Sequence, residues 1–199
     1  MKLGLTLPAA VVAALAFAAS SASASDWAHF GGDAQVTNDV PTAAAPDYAS
    51  AGDAAANLQV RWKAGLDGAV IASPLYADGV TIDGGPVNVV YVATQSGSVF
   101  ALDSSDGEIL WQHQLGTVIA TCDEPQAGVA STYGVVSTGA INRGRNVIYV
   151  IGATGALHAL DLATGQEAPG WPVQVVADTS GELVWGGLTM SGDKLYVPV

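Results

Sequence analysis

Cations are scarce in this chain. It carries 6 Lys and Arg against 18 Asp and Glu in 199 residues, a formal net charge of −12. Every carboxylate lies beyond residue 25, where only Arg61, Lys63, Arg143, Arg145 and Lys194 oppose them. Such a surface repels phosphate backbones and anionic lipid head groups, so it excludes nucleic-acid binding and a polybasic membrane contact. Its plain role is to keep the chain soluble. Cysteine is nearly absent too. Cys122 stands alone, so no disulfide forms within the chain. Its thiol is either free, bonded to another chain, or paired with a residue beyond Val199. Long apolar runs are missing after residue 25, and no membrane span is expected there. No stretch beyond the leader has the apolar spacing of an amphipathic helix.

The leader itself is MKLGLTLPAAVVAALAFAASSASAS. Lys2 precedes an apolar stretch from Leu3 to Ala19, and Ala22-Ser23-Ala24 has the small-x-small form of a cleavage site. Pro8 and the shortness of the stretch argue against a permanent anchor. Residues 1–24 are therefore expected to be a signal peptide, with the mature chain exported to the periplasm or secreted. Residues 25–57 are rich in Ala, Asp and Pro without a sustained period. They are expected to form an irregular N-terminal segment, with Trp27 and Phe30 available to pack it onto the body.

What the chain does have is a repeat. Val90-Tyr91-Val92 recurs as Ile148-Tyr149-Val150. At the same offset Gly97 falls on Gly155, Ala101 on Ala159, Leu102 on Leu160, Asp103 on Asp161 and Gly107 on Gly165. A third copy starts at Leu195-Tyr196-Val197. Each copy reads as β structure. Asn88–Thr94 is β-branched and aromatic, Ser96-Gly97 and Thr154-Gly155 are tight turns, and Ser98–Asp103 is the return strand. Asp103 and Asp161 open the next turn, where a carboxylate accepts N–H groups two or three residues on, and Gly107 and Gly165 complete it. Glu108–Leu115 is the following strand. Upstream, Ala69–Tyr76 supplies a fourth. Before that, Leu58–Leu66 alternates apolar and polar residues, which predicts a half-buried strand.

Four-stranded meanders repeated every 40–50 residues or so build β-propellers. The motif Ala101-x-Asp103-x-x-Asp106-Gly107-Glu108-x-x-Trp111 resembles the tryptophan-docking motif of the pyrroloquinoline-quinone (PQQ) repeat, or quinoprotein-like, β-propellers. That family includes quinoprotein alcohol dehydrogenases and non-enzymatic propellers. The resemblance implies that the Trp ring stacks on the neighbouring blade, that the Ala leaves room for it, and that Asp and Gly hold the turn. Ala101, Asp103, Gly107, Trp111, Ala159, Asp161 and Gly165 are then structural blade-docking residues. The second copy departs after Gly165: Trp171 arrives two residues late, behind Pro169-Gly170. The expected fold is all-β, a partial propeller over residues 58–199 with about three four-stranded antiparallel blades, the last one truncated. A closed ring needs at least four blades, so the chain is expected to be the N-terminal part of a longer protein.

Chemistry is harder to find. The resemblance to quinoprotein dehydrogenases implies PQQ in the central channel beside a calcium ion, with an Asp as base; no stretch matches those residues, nor a Cys-Cys pair. His158 stands where the first copy has Phe100 and reads as a packing or rim residue. His29 and His113 have no second ligand at metal spacing. Cys122-Asp123-Glu124 sits in a Pro- and Gly-containing loop that reads as solvated. No nucleophile elbow or phosphate-cradling Gly motif occurs. The recurrence of Asp103 and Asp161 at equivalent turns points to structure. The expected function is a non-catalytic platform with a protein or small-molecule ligand at the loop face of the propeller. The alternative is part of a PQQ- and calcium-dependent alcohol or sugar dehydrogenase.

Overall fold

The computed structural model describes residues 26–32, 59–119, 132–179 and 184–198. The leader, most of the segment before residue 58, and the loop holding Cys122, Asp123 and Glu124 lie outside them. All described regular structure is β. The strands are β1 Leu75–Ile82, β2 Gly85–Ala93, β3 Ser98–Asp103, β4 Ile109–Gln114, β5 Val118–Ile119, β6 Thr132–Tyr133, β7 Ala140–Asn142, β8 Val147–Ile151, β9 Ala156–Asp161, β10 Val173–Gln174, β11 Thr189–Ser191 and β12 Lys194–Tyr196.

They form two four-stranded antiparallel meanders, β1-β2-β3-β4 and β7-β8-β9-β10, and the first hairpin of a third, β11-β12. The pair β5-β6 joins the first meander to the second. The repeat keeps its register. Leu75, Ala140 and Thr189, each first in its strand, face Tyr91, Tyr149 and Tyr196. The middle strands β3 and β8 are buried almost throughout. Both faces of each sheet are covered by a neighbour, so these strands are continuously apolar rather than alternating.

Three apolar layers result. Val89, Tyr91, Val99, Ala101 and Trp111 meet Ile148, Val150, Leu160 and Leu162 between the first two sheets. Tyr149, Ile151, Leu157 and Ala159 meet Leu188 between the second and third, with Met190 and Leu195 against them. On the other face of the first sheet, Val92, Phe100 and Leu102 carry Trp62, Ala64 and Leu66. That last layer corrects the sequence reading. Residues 61–66 keep the alternation of exposed and half-buried positions but pair with no strand among the described residues. Their inward side chains lie on the first sheet, while Val60 is 74% exposed.

The first strand also differs from expectation. It begins at Leu75, just after Pro74, and runs on to Ile82 across a bulge between Ala77 and Val80. It ends at Asp83-Gly84, both at positive φ (51° and 83°). Such a pair is the strongest short hairpin signal, because its twist matches that of the strands.

The inner strands β1, β7 and β11 are tied together near their starts. Ser73 N–H donates to Thr138 Oγ1 at 3.0 Å. Thr138 N–H donates to the Gly186 carbonyl, and its own carbonyl accepts Leu188 N–H. The segment 26–32 crosses the same region. Trp27 exchanges two backbone hydrogen bonds with Tyr76, and the Ala28 carbonyl accepts Ile141 N–H. Asp26 accepts Asp78 N–H at 2.8 Å and pairs with Arg143 at 3.2 Å. One short segment thus latches two sheets at their inner edges.

Candidate functional site at the sheet seams and loop face

Each repeated turn is closed by its own aspartate. Asp103 Oδ1 accepts Ser105 N–H at 2.7 Å, and its carbonyl accepts Gly107 N–H at 2.8 Å. Asp161 does more. Its Oδ1 accepts Ala163 N–H (3.0 Å), Thr164 N–H (2.9 Å) and the Thr164 hydroxyl (3.0 Å), and Oδ2 accepts from Asn146 at 3.0 Å. Hydrogen bonds to Ser105, from its hydroxyl first and its N–H second, hold the Asp103 carboxyl below its ordinary pKa.

The second turn receives the indole of Trp111. This ring is 8% exposed, and its Nε1–H donates to the Leu162 carbonyl at 3.0 Å. The buried Tyr91 hydroxyl donates to the same oxygen at 2.9 Å. Burial pushes that phenol well above its ordinary pKa. Gly165, at φ 67°, is where the ring lies closest: a Cβ there would sit 2.5 Å from a ring carbon. Ala101 is paired with Trp111 across the ladder and is fully buried. Its methyl leaves the space that a larger side chain would take from the ring. All seven residues singled out from the repeat therefore lie at turns or seams.

Sequence reading missed the equivalent residue one step earlier. Trp62 Nε1–H donates to the Ser104 carbonyl at 2.9 Å, and its ring lies 2.5 Å from the place of a Cβ on Gly107. Ser104 and Gly107 are the first-copy counterparts of Leu162 and Gly165. The signal was present: Trp62-x-x-x-Leu66 repeats as Trp111-x-x-x-Leu115. Trp171, set back by Pro169-Gly170, regains its place. Val173 faces Leu157 as His113 faces Val99. Trp171 lies 5.4 Å from Tyr149 at 49°, as Trp111 lies 5.8 Å from Tyr91 at 45°.

Two further groupings emerge only in three dimensions. Asp67 anchors the hairpin between β2 and β3. Its carboxylate accepts the hydroxyls of the buried Thr94 (2.7 Å) and Ser98, and its carbonyl accepts Ser96 Oγ–H at 2.9 Å. His113 and His158, on adjacent sheets, bring their rings to 6.4 Å, with Glu167 Oε2 2.7 Å from His158 Nδ1. Among the described residues, His113, His158 and Glu167 are the grouping able to offer three metal donors.

The loops entering the inner strands present a different surface. Ile71, Val136 and Trp185 each stand four residues before Leu75, Ala140 and Thr189. Ile71 is 50% exposed and Trp185 54%, and Val136 is half-buried. Val70 beside Ile71 is 44% exposed. The loops before β1 and β11 therefore each present an exposed apolar side chain at the same register position, and the loop before β7 a half-buried one.

A family model described as "Outer membrane protein assembly factor BamB" matches residues 31–197. The quinohemoprotein alcohol dehydrogenase ADH-IIG of Pseudomonas putida is 34% identical over 124 residues, which are 59% of this chain and 14% of that enzyme. Among solved structures, BamB from Moraxella catarrhalis is 26% identical, over 69% of this chain and 37% of that one, with a TM-score of 0.45. The quinohemoprotein alcohol dehydrogenase ADHIIG from Pseudomonas putida HK5 is 25% identical, over 77% of this chain and 19% of that one, with a TM-score of 0.48. The chain thus spans a small part of the length of each.

Proposed function

This chain belongs to the PQQ-repeat β-propeller family whose model is described as outer membrane protein assembly factor BamB, and from that premise we propose that it is an exported, non-catalytic platform that binds a protein partner at its loop face. The observation that carries this reading is the apolar register of Ile71, Val136 and Trp185 on the loops entering the inner strands. Exposed apolar side chains mark sites of protein–protein contact, and Trp is among the commonest anchors. The repeat supplies an apolar side chain at the same register position in each copy. The acidic balance keeps the rest of that surface soluble. The name of the matched family suggests the kind of partner: another component of an outer-membrane assembly machine.

The same reading gives Ala101, Asp103, Gly107, Trp111, Ala159, Asp161 and Gly165 a structural role. Their turns and indole contacts fix how neighbouring sheets sit, and so fix the spacing of the loops. It takes residues 1–24 as an export signal, and residues 58–199 as the propeller portion.

A second reading, part of a quinoprotein dehydrogenase, is favoured by the 34% identity to the Pseudomonas putida enzyme. The described residues fit PQQ and calcium poorly. Asp26, beside the inner strands, is already engaged by Arg143 and Asp78 N–H, and Asp103 and Asp161 are turned into their own loops. No step of such a reaction is assigned to them.

A photo-crosslinking side chain placed at Trp185 in the full-length protein, in its native cell, tests the platform. A discrete protein adduct, lost when the crosslinker is moved to the exposed Asp83 turn, is the expected result. Adding PQQ and Ca²⁺ to the purified protein should leave dye reduction and the quinone spectrum unchanged. A bound-quinone spectrum with alcohol-dependent dye reduction would overturn the platform in favour of the enzyme.

A further inference from the structure

We propose that the seam between the first two sheets binds one divalent transition-metal ion through His113 on β4 and His158 on β9, with Glu167, on the segment after the second turn, holding the His158 ring in place. The two imidazoles belong to different sheets and are brought together by packing alone. His158 occupies the position that Phe100 fills in the first copy, on the face turned toward β4. His113 faces Val99 across the ladder. One donor atom from each of the three residues lies within 4.8 Å of the other two.

Two observations set this apart from a chance cluster. The carboxylate is fixed in place: Glu167 Oε1 accepts Ala159 N–H at 2.9 Å while Oε2 lies 2.7 Å from His158 Nδ1. His158 is 8% exposed, and its Nε2 is buried with no hydrogen-bond partner. Buried polar atoms normally have a partner, and this nitrogen finds none among the described side chains. With Nδ1–H given to Glu167, Nε2 keeps its lone pair, which is the form that ligates a metal. A carboxylate holding the second nitrogen of a ligating histidine is the usual outer support of such sites.

The donor set selects the ion. A pair of imidazoles suits zinc, copper, nickel or iron, whereas calcium and magnesium require oxygen ligands. Metal–nitrogen bonds of about 2.0–2.1 Å require the donors to draw closer than they stand. His113 is only half-buried and is the side chain free to turn inward. Water would complete the coordination. An ion held this way bridges β4 and β9, so it would clasp the first sheet to the second beside the Trp111 contact. This inference does not depend on the platform reading.

Zinc binding to the full-length, chelator-stripped chain provides the test. Calorimetry should show one Zn²⁺ per chain at micromolar metal, and Zn²⁺ should raise the melting midpoint. Co²⁺ should give the visible ligand-field bands of a four- or five-coordinate nitrogen–oxygen site. His158→Phe installs the residue that the first copy already has, so it should preserve the fold while removing the stoichiometric site and the Co²⁺ bands. His113→Gln, on the half-buried side, should weaken binding at least tenfold, and Glu167→Gln by about 10–100-fold. The proposal is overturned if the parent chain takes up no zinc. It is equally overturned if uptake persists unchanged in His158→Phe or His113→Gln, since the ion would then sit on surface carboxylates.

Discussion

The first and second copies of the repeat share the register of their first three strands, though β1 and β2 run longer than β7 and β8, and they diverge most beyond the turn. In the first, β4 is a six-residue strand and Trp111 is buried in the seam. In the second, Pro169-Gly170 intervenes, β10 has two residues, and Trp171 is only half-buried. The turns differ in the opposite sense. Asp161 accepts three hydrogen bonds on Oδ1 and one on Oδ2, while Asp103 accepts the Ser105 N–H and hydroxyl. The comparison teaches which parts of the repeat are fixed by packing between sheets and which are free to vary. The strand pair around each Tyr must present the same faces to both neighbours. The outer strand meets solvent along one edge and tolerates insertion.

The largest expected effect lies at Trp111. Trp111→Ala removes a buried indole, its hydrogen bond to Leu162 and its contact with Gly165, and should destabilise the chain by about 3–5 kcal/mol. Trp171→Ala removes a half-buried ring and should cost about half as much. Denaturant melts of the two variants measure the difference. Equal losses would mean that the two outer strands contribute alike, despite the insertion.

A smaller effect of the same origin is expected at glycine. Gly165→Ala would place a methyl against the Trp111 ring and force an L residue to φ 67°. Gly107→Ala would do the same against Trp62 at φ 80°. Overpacking and backbone strain together suggest about 2–4 kcal/mol for each. Gly84→Ala, also at positive φ (83°) but with open space around its Cβ, isolates the backbone share, about 1 kcal/mol. If all three variants melt alike, the rings move aside and the seam is softer than its geometry indicates.

Much of the fold was legible in the chain itself. A repeat held in constant offset from Val90 to Gly107 carries β3 and the turn to the residue and β2 from Asn88 on, though β2 begins three residues earlier at Gly85, because the strand positions face neighbouring sheets and few residue types fit. The segment 61–66 misled for a physical reason. Alternation reports which side of an extended chain is buried, and Trp62, Ala64 and Leu66 are buried against the first sheet without any ladder. The second half of β1 was overlooked where Asp83-Gly84 announced a hairpin. The meeting of His113, His158 and Glu167 left no trace, since contacts across a seam have no characteristic spacing. Asp67 was equally silent: its partners Thr94 and Ser98 are ordinary residues until the loop folds back over them.

The smallest effect concerns acid. Asp103 has its carboxyl pKa lowered below 3.8 in the folded chain by the Ser105 hydroxyl and N–H. A carboxyl with a depressed folded pKa contributes stability that is fully present above its unfolded pKa, and loses it as pH falls through the folded value. The Asp103 contribution is therefore intact at neutral pH and disappears only below about pH 4. Because this carboxyl is close to solvent, screening keeps it slight. Asp103→Asn should lower the melting midpoint a little at pH 7 and bring the variant and parent together toward about pH 3. Asp161→Asn, which disturbs four hydrogen bonds of one turn, should cost more at neutral pH, about 1–2 kcal/mol. A variant at Asp103 that stayed equally far below the parent at both pH values would show that shape, not charge, sets the worth of the first turn. The two copies would then differ in packing alone.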